Sequence, residues 1–260
     1  MKDQLHRTLH LHKTPKRIVS LVPSQTELLI DLGLKDSIVG VTKFCVHPKQ
    51  LRKEKAVVGG TKQVHLDKIR ELQPDIILCN KEENTKDMIP ELEQIAPVHI
   101  SDIYSIEDSL ELIDMYGNLF DAPEKAKNII KDIKAKLTDF KVFVSDRKKL
   151  KVVYFIWKNP YMVAANQTFI NEMLSMNHFE NSYQDESRYP EITLSEFKEK
   201  QPDLILLSSE PYPFKAIDID EFNTVCPDAK IKIVDGEAFS WYGSRLLKAF
   251  DYFKALQKSL

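Results

Sequence analysis

The segments LDKIRELQPDIIL (66–78) and LSEFKEKQPDLIL (194–206) are two copies of one pattern, about half of the 260-residue chain apart. In each copy, a short amphipathic stretch stops at Gln-Pro-Asp and is followed by an apolar run typical of a buried parallel strand. Aligned without gaps, the copies pair Leu66 with Leu194, Gln73 with Gln201, Pro74 with Pro202, Asp75 with Asp203 and Leu78 with Leu206. Each copy therefore predicts a helix, a turn and a strand.

The repeat continues downstream of both copies. A further helical stretch follows each one, and then come the strands APVHISD (96–102) and AKIKIVDG (229–236). Two strand–helix–strand units at this spacing predict an α/β protein of two similar lobes with mainly parallel sheets. A ligand cleft between such lobes is the usual reason for this architecture.

The longest helical stretch lies midway between the two copies. It opens at Asp121-Ala122-Pro123-Glu124, with Asp121 predicted as the N-cap, and no Gly or Pro interrupts it up to about Phe143. Apolar residues recur on one face at Ile129, Ile130, Ile133, Leu137 and Phe140. We interpret it as a rigid connector, which divides the chain into an N-terminal lobe (1–120), a connecting helix (121–146) and a C-terminal lobe (147–260).

The composition excludes several classes of protein. With 43 % apolar residues, 29 % charged residues and a net charge of −2, the chain lacks the basic excess of a nucleic-acid binder. Its three cysteines form neither a disulfide framework nor a zinc pattern. The N-terminus MKDQLHRTLHLHKTPKR has no apolar run that predicts a signal peptide, and its histidines, His6, His10 and His12, are expected on the surface of a frayed terminus.

The first predicted strand, Arg17–Val22, runs directly into Pro-Ser-Gln-Thr-Glu (23–27). Ser24 and Glu27 have capping-box spacing for a helix that Gly33 ends. Two interpretations stay open: a well-capped helix start, or a helix start whose free backbone N–H groups hold an acidic or amide group of a ligand.

Aromatic and polar side chains gather in the loops that follow the predicted strands. Aromatic residues beside Pro and Gly in loops suit flat contact with a large planar ligand, and we favour this role for Phe44 and Trp241. The candidate ligand-binding residues are Phe44, Cys45, His47, Lys62, Trp157, Tyr161, Tyr189, Tyr212, Trp241, Tyr242 and Arg245.

Catalysis has little support in the sequence. Cys45 and His47, two residues apart, point the same way on an extended chain, but no third ligand and no orienting carboxylate lies near them. The chain contains no phosphate loop, GxGxxG, GxSxG or HExxH motif. We therefore predict a binding protein without catalytic residues, metal ligands or a cofactor of its own.

The sequence resembles the helical-backbone class of ABC-transporter substrate-binding proteins, and within it the cobalamin-binding branch. The resemblance rests on RIVSLVPSQTELLIDLGLKDSIVGVT (17–42), the two Gln-Pro-Asp copies and the long helix between them. It implies a soluble monomer that binds a metal chelate between two lobes and delivers it to an ABC permease in the membrane. Cobalamin is the implied ligand, with a ferric siderophore or haem as the alternatives.

The resemblance also assigns roles to individual residues. Phe44 takes the place of a ligand-contacting tyrosine, Tyr161 that of a phenylalanine, and Tyr189 that of a tryptophan. Trp241 and Arg245 match a tryptophan and an arginine of the loop before the last helix. Lys62 stands where the cobalamin branch has a tryptophan, and it suits an anionic group of the ligand instead.

In this class one acidic residue on each lobe docks onto the permease. The matching positions are Asp67 in the first copy and Ser195, followed by Glu196, in the second. The resemblance implies a periplasmic or cell-envelope protein, whereas the polar N-terminus leaves a cytoplasmic one open. An intracellular cofactor- or metal-handling enzyme, or a sensor, on the same scaffold is the alternative from another class, with Cys45 and His47 as its reactive groups.

Overall fold

A computed structural model describes residues 1–260 and contains two β-sheets, each within its own compact unit. The first unit comprises Met1–Lys134 together with Trp241–Leu247, and the second comprises Ala135–Ser240 together with Lys248–Leu260. The predicted α/β class with two mainly parallel sheets is confirmed. Trp241–Leu247, which the sequence places in the C-terminal lobe, packs with the first unit.

The first unit is built on a five-stranded parallel sheet with the order β3-β2-β1-β4-β5. Its strands are β1 (Ile18–Ser20), β2 (Ile38–Val41), β3 (Ala56–Val57), β4 (Ile76–Asn80) and β5 (Val98–Ser101). The two central strands, β1 and β4, are buried along their whole length, as their continuous apolar runs predict.

Helices cover this sheet and connect its strands. They are α1 (Pro23–Asp31), α2 (Leu51–Glu54), α3 (Leu66–Glu71), α4 (Ile89–Glu93) and α5 (Ile106–Leu119). The connecting helix is α6 (Pro123–Val144), which begins two residues after Asp121 and passes from the first unit into the second. Of the predicted apolar face of α6, Ile129, Ile133 and Phe140 are buried, whereas Ile130 and Leu137 are half-buried.

The second unit holds a mixed sheet with the order β11-β10-β6-β7-β9, and β8 also pairs with β6. Its strands are β6 (Leu150–Trp157), β7 (Tyr161–Val163), β8 (Phe179–Asn181), β9 (Glu191–Ile192), β10 (Leu204–Ser208) and β11 (Lys230–Val234). Its helices are α7 (Phe169–Met176), α8 (Leu194–Lys200), α9 (Ala216–Val225), α10 (Gly236–Ser240) and α11 (Leu246–Ser259). The sequence did not predict β8, β9 or α10, which are only three, two and five residues long.

The two Gln-Pro-Asp turns have the same backbone geometry. Gln73 and Gln201 end their helices in the left-handed region, with φ of 44° and 45°. The carboxylate of Asp75 then accepts hydrogen bonds from Lys16 N (2.9 Å) and Arg17 N (3.0 Å) at the start of β1. Asp203 accepts one from Lys151 N (2.9 Å) at the start of β6. The aspartate thus attaches each turn to the central strand of its sheet.

The N-terminal segment is docked onto the first sheet, so the prediction of a frayed terminus is wrong. The Asp3 carboxylate is buried and accepts a hydrogen bond from Ile100 N at the outer edge of β5 (3.2 Å). Arg7 pairs with Asp3 (2.9 Å) and with Glu93 (2.8 Å), and it donates to the carbonyl of Val98. Side chains therefore satisfy backbone groups that an edge strand would otherwise expose.

The predicted capping box at the first helix is also wrong. Helix α1 begins at Pro23 after Val22, which makes no side-chain cap, and Glu27 is buried within the unit. Proline suits this position because the first N–H of a helix needs no intrahelical partner. A capping box is present at the start of α5, between Ser105 and Asp108.

Candidate functional site

Phe44 is the most exposed aromatic side chain of the first unit. It follows β2, and 49 % of its surface is exposed. The ammonium of Lys43 lies 5.0 Å from the centre of its ring. Gly60 lies against the same ring, since a Cβ at that position would come within 3.3 Å of Phe44 Cε2. This loop presents a flat apolar surface with a cation beside it.

Cys45 is directed into the interior instead. Only 1 % of its surface is exposed, and its Sγ lies 3.2 Å from Thr26 Oγ1 and 3.3 Å from Thr42 Oγ1. Burial raises the pKa of the thiol, which opposes the thiolate that a nucleophile or metal ligand needs. Cys45 is therefore a packing residue of this unit. Its side chain contacts Thr26 and Thr42, whereas that of His47 contacts Trp241.

His47, Trp241 and Arg245 form a stack within the first unit. The imidazole of His47 meets the indole of Trp241 edge-on, with ring centres 5.4 Å apart. The guanidinium of Arg245 lies 4.8 Å from the centre of the Trp241 ring, and its Nε is 2.8 Å from Glu27 Oε2. Trp241 and Arg245 are each 8 % exposed. Glu27 thus balances the arginine charge, and the arginine supports the indole.

Tyr242 and Lys62 contact the first unit in different ways. Tyr242 is buried, and its hydroxyl receives a hydrogen bond from the side chain of Gln25 (3.0 Å). Burial raises the pKa of Tyr242, so it stays a neutral phenol. Lys62 is exposed, and its ammonium donates to the carbonyl of Glu82 (3.1 Å). A ligand reaches Lys62 more readily than Tyr242.

In the second unit, Trp157 and Tyr212 form an aromatic pair. Trp157 ends β6 and is 38 % exposed, and its ring meets that of Tyr212 at 5.7 Å and 70°. Tyr212 in turn packs on the buried ring of Phe214 at 4.7 Å. The exposed indole is therefore held from behind by rings that belong to the core.

A charged cluster fixes the turn after Trp157. The ammonium of Lys158 lies 2.7 Å from Asp218 Oδ1 and 2.8 Å from Glu221 Oε2, which raises the lysine pKa. Tyr161 donates its hydroxyl to Glu221. Burial, and then this hydrogen bond, raise the pKa of Tyr161 to about 12. The Tyr161 hydroxyl is thus engaged in holding the turn.

Tyr189 is half-buried, and its two neighbours are tied to β7 and the residues after it. The carbonyl of Arg188 accepts a hydrogen bond from Ala165 N (2.8 Å), and that of Pro190 accepts one from Val163 N (3.2 Å). Backbone bonds on both sides therefore fix the position of this ring.

The two acidic candidates for docking are both exposed but differ in their contacts. Asp67 pairs with Arg70 one turn along α3 (2.8 Å). Glu196 accepts hydrogen bonds from Thr193 N (2.7 Å) and Thr193 Oγ1 (2.8 Å), which cap the start of α8. These bonds from Thr193 hold the pKa of Glu196 below its ordinary value. Both residues thus present an exposed carboxyl group at the start of a helix.

Sequence reasoning missed the residues that support these side chains. Gln25 and Glu27 of α1 contact Tyr242 and Arg245, more than 200 positions away in the chain. Asp218 and Glu221 of α9 contact Lys158 about 60 positions away. Periodicity places these residues on helices but does not reveal such distant partners.

The site is suited to binding. The structure contains no group of three His, Cys, Asp or Glu side chains that could hold a metal ion. The exposed ring of Phe44, with the Lys43 ammonium beside it, fits apolar contact with a planar molecule that carries acidic groups at its edge. No helix combines the length and apolar character that a membrane crossing requires.

The chain belongs to the periplasmic binding protein family, whose model matches residues 18–228. It is 28 % identical over 261 residues to an uncharacterised ABC transporter substrate-binding lipoprotein of Bacillus subtilis, covering 96 % of this chain and 82 % of the relative. It is also 24 % identical over 195 residues to a vitamin B12-binding protein of Vibrio parahaemolyticus, covering 74 % and 70 % of the two chains.

Solved structures show the same fold. The petrobactin-binding protein of Bacillus subtilis matches with a TM-score of 0.85 at 16 % identity, over 99 % of this chain and 98 % of that one. The periplasmic vitamin B12-binding protein of Vibrio cholerae matches with a TM-score of 0.81 at 20 % identity, over 95 % and 98 %. The protein is therefore a substrate-binding protein of the ABC uptake type, and the family implies a small-molecule ligand and a permease partner.

Proposed function

We propose that the protein binds a metal chelate with a large planar face, cobalamin or a related corrinoid, through exposed aromatic side chains. One observation carries this proposal. Phe44 and Trp157 are the two exposed aromatic side chains of the chain, one in each unit; Phe44 follows β2 and Trp157 ends β6. Solvent-exposed rings held rigidly from behind provide apolar contact area at low entropic cost.

Equilibrium titration with cyanocobalamin tests the proposal. The ligand absorbs near the tryptophan emission, so binding is followed as quenching of the fluorescence of the two tryptophans. We expect Phe44→Ala and Trp157→Ala each to weaken binding roughly tenfold. Because Trp157→Ala removes a fluorophore, binding to this variant is measured by equilibrium dialysis. Phe143→Ala, which removes a half-buried ring from the connecting helix, is the matched control and should bind as wild type. Wild type that binds no cyanocobalamin contradicts the cobalamin form of the proposal.

The lysines around Phe44 favour haem or a ferric siderophore as the second candidate ligand. Lys43 lies over the Phe44 ring and Lys62 is exposed on the neighbouring turn, and both suit carboxylate groups of a ligand. The affinity for haem should decrease in Lys43→Gln and Lys62→Gln, and it should also decrease with added salt. The affinity for haem dimethyl ester, which has no carboxylates, should respond neither to the substitutions nor to salt.

We also propose that Asp67 and Glu196 dock onto the permease of an ABC transporter, that the protein is a monomer, and that it acts outside the cytoplasmic membrane. The two exposed carboxylates and the relative named as a lipoprotein support this. Asp67→Asn and Glu196→Gln should lower ligand-stimulated ATP hydrolysis by the reconstituted transporter while ligand affinity stays constant. Glutamine keeps the cap of α8, so this variant removes charge alone. Asp114→Asn, an exposed control, should have no effect.

A further inference from the structure

A buried hydrogen-bond network centres on the side chain of Gln25. Its Nε2 lies 2.6 Å from Ser101 Oγ, 3.0 Å from the hydroxyl of Tyr242 and 3.2 Å from the carbonyl of Cys79. Its Oε1 accepts a hydrogen bond from the hydroxyl of Tyr116 (2.7 Å). Gln25, Ser101 and Tyr116 have no exposed surface, and Tyr242 has 4 %. The amide therefore engages both of its polar atoms in the interior.

This network joins elements that are distant in sequence. Gln25 lies on α1, Ser101 on β5 and Tyr116 on α5, whereas Tyr242 belongs to the Trp241–Leu247 segment. Ser101 Oγ also lies 3.3 Å from the Tyr242 hydroxyl, so the phenol has two partners in the network. The strand, both helices and the segment thus meet at one amide.

The directionality of these bonds gives Gln25 a role that apolar packing does not supply. A leucine would fill similar space, but it would allow the Tyr242 ring to shift along the core surface. Hydrogen bonds fix the position of the phenol oxygen, and satisfied buried networks select one arrangement. Trp241 precedes Tyr242 directly, and Arg245 follows it by three residues.

We propose that Gln25 is a positioning residue, which orients the Trp241–Arg245 loop through Tyr242 and thereby sets ligand affinity. The second part rests on the proposed function, whereas the first concerns the protein alone. Two further contacts hold the same loop. Gly243 N donates to Ser109 Oγ (2.8 Å), and Arg245 pairs with Glu27 (2.8 Å). Loss of the Gln25 bonds should therefore loosen the loop around Trp241 and leave the unit folded.

Fluorescence of Trp241 tests the first part without a ligand. In a Trp157→Phe background Trp241 is the single indole. We expect Gln25→Leu to increase acrylamide quenching of Trp241 several-fold and to shift its emission to longer wavelength. The matched control is Gln257→Leu, since Gln257 is the other buried glutamine with a side-chain donor bond, to Asn177 O (2.6 Å), and lies in the second unit. Unchanged quenching in a folded Gln25→Leu protein overturns the proposal.

The Tyr242→Phe variant tests whether Gln25 acts through the hydroxyl of Tyr242. It also keeps the proposal testable if Gln25→Leu does not fold. It removes only the hydroxyl that accepts from Gln25, and it should reproduce the increased quenching. Adding Gln25→Leu to Tyr242→Phe should change quenching far less than Gln25→Leu alone, because both substitutions break the same bond. Wild-type quenching in Tyr242→Phe, or fully additive effects, contradicts positioning through this phenol.

Titration with cyanocobalamin and with haem tests the second part, in the chain that retains both tryptophans. Gln25→Leu should weaken binding about tenfold, largely through faster dissociation, and Gln257→Leu should leave the affinity unchanged. Equal affinities of Gln25→Leu and wild type overturn this part. If wild type binds neither probe, the proposed function fails, and the quenching experiment still decides the positioning role.

Discussion

The two copies of the repeat agree at their turns and differ at their helix starts. Gln73 and Gln201 have the same left-handed geometry, and the aspartate two residues later captures the central strand in both units. At the other end, His65 makes no side-chain cap on α3, whereas Thr193 forms a full capping box with Glu196 on α8. The buried turn is therefore the shared part, and the exposed helix start is where each unit has its own chemistry.

The largest difference between the copies should come from the buried residue of each helix. Phe197 packs edge-on against Phe155 (5.2 Å) and Phe222 (6.1 Å), and Ile69 fills the matching place in the first unit. We expect Phe197→Ala to lower the free energy of unfolding by about 3–5 kcal/mol and Ile69→Ala by about 2–3 kcal/mol. Urea unfolding measures both, with Trp157 reporting on the second unit and Trp241 on the first. An equal or larger loss for Ile69→Ala would contradict the comparison.

The second difference is a loss of stability in acid, which we expect in the first unit only. His99 on β5 is fully buried against Tyr116, and burial lowers its pKa to about 4, whereas Lys232 takes its place on β11. Two charged groups also act on this pKa, with opposing effects: Asp3 raises it and Arg7 lowers it.

Because the folded state disfavours the charged imidazole, stability is complete above the ordinary pKa of 6.5 and falls as the pH is lowered toward 4. This loss should amount to about 2–3 kcal/mol. His99→Leu should remove it, as measured by urea unfolding followed through Trp241 between pH 7 and pH 4. An unchanged slope in the variant would show that another group titrates.

The third comparison concerns how much Asp75 and Asp203, the aspartates of the two Gln-Pro-Asp turns, stabilise their units. Hydrogen bonds from Lys16 N and Arg17 N outweigh the burial that would raise the pKa of Asp75, and keep it below its ordinary value. The bond from Lys151 N does the same for Asp203. We expect Asp75→Asn to lower the unfolding free energy by about 2 kcal/mol and Asp203→Asn by about 1 kcal/mol, since Asp75 accepts one more backbone bond.

Both losses have a defined pH dependence. The stabilisation is present above the ordinary aspartate pKa of 3.8 and is lost as the pH falls through the lower folded-state pKa. Wild type and the asparagine variants should therefore converge in strong acid. A difference that persists there would mean that the substitutions act through packing and not through charge.

The smallest effect should appear at the helix starts. Thr193→Ala removes a cap and should lower the unfolding free energy by about 1 kcal/mol, whereas His65→Ala should have no measurable effect. Conversely, His65→Thr should stabilise the first unit by a few tenths of a kcal/mol. Thermal unfolding with Trp241 as reporter is sensitive enough to compare these variants.

The repeat was sufficient to predict the fold class, because strands and turns follow from local rules of apolar periodicity and backbone geometry. Strand β1, Ile18–Ser20, lies within the predicted strand Arg17–Val22. Local patterns failed where a side chain finds a distant partner. Ser24 and Glu27 have capping-box spacing, yet the Glu27 carboxylate pairs with Arg245 instead. The polar N-terminus suggested fraying, yet Asp3 and Arg7 hold it on β5.

The sequence indicated which aromatic residues lie near the candidate site, but it did not indicate which of them are exposed to a ligand. Phe44 and Trp157 are exposed as a ligand contact requires, whereas Trp241 and Arg245 are buried in a stack with His47. The sequence placed all of them in loops after strands and could not distinguish an exposed ring from a supported one. That distinction depends on Gln25 and Glu27, whose contacts with residues 242 and 245 exist only in the folded chain.

The Trp241–Leu247 segment has a consequence for how the protein is made. The first unit is encoded almost entirely by residues 1–134, but its interior includes Tyr242 and Arg245. During synthesis these residues are added only after all strands of the second sheet, up to Val234, have been translated. The unit whose sheet is translated first is thus completed only after the sheet of the second unit has been made, and its interior lacks Tyr242 and Arg245 until then.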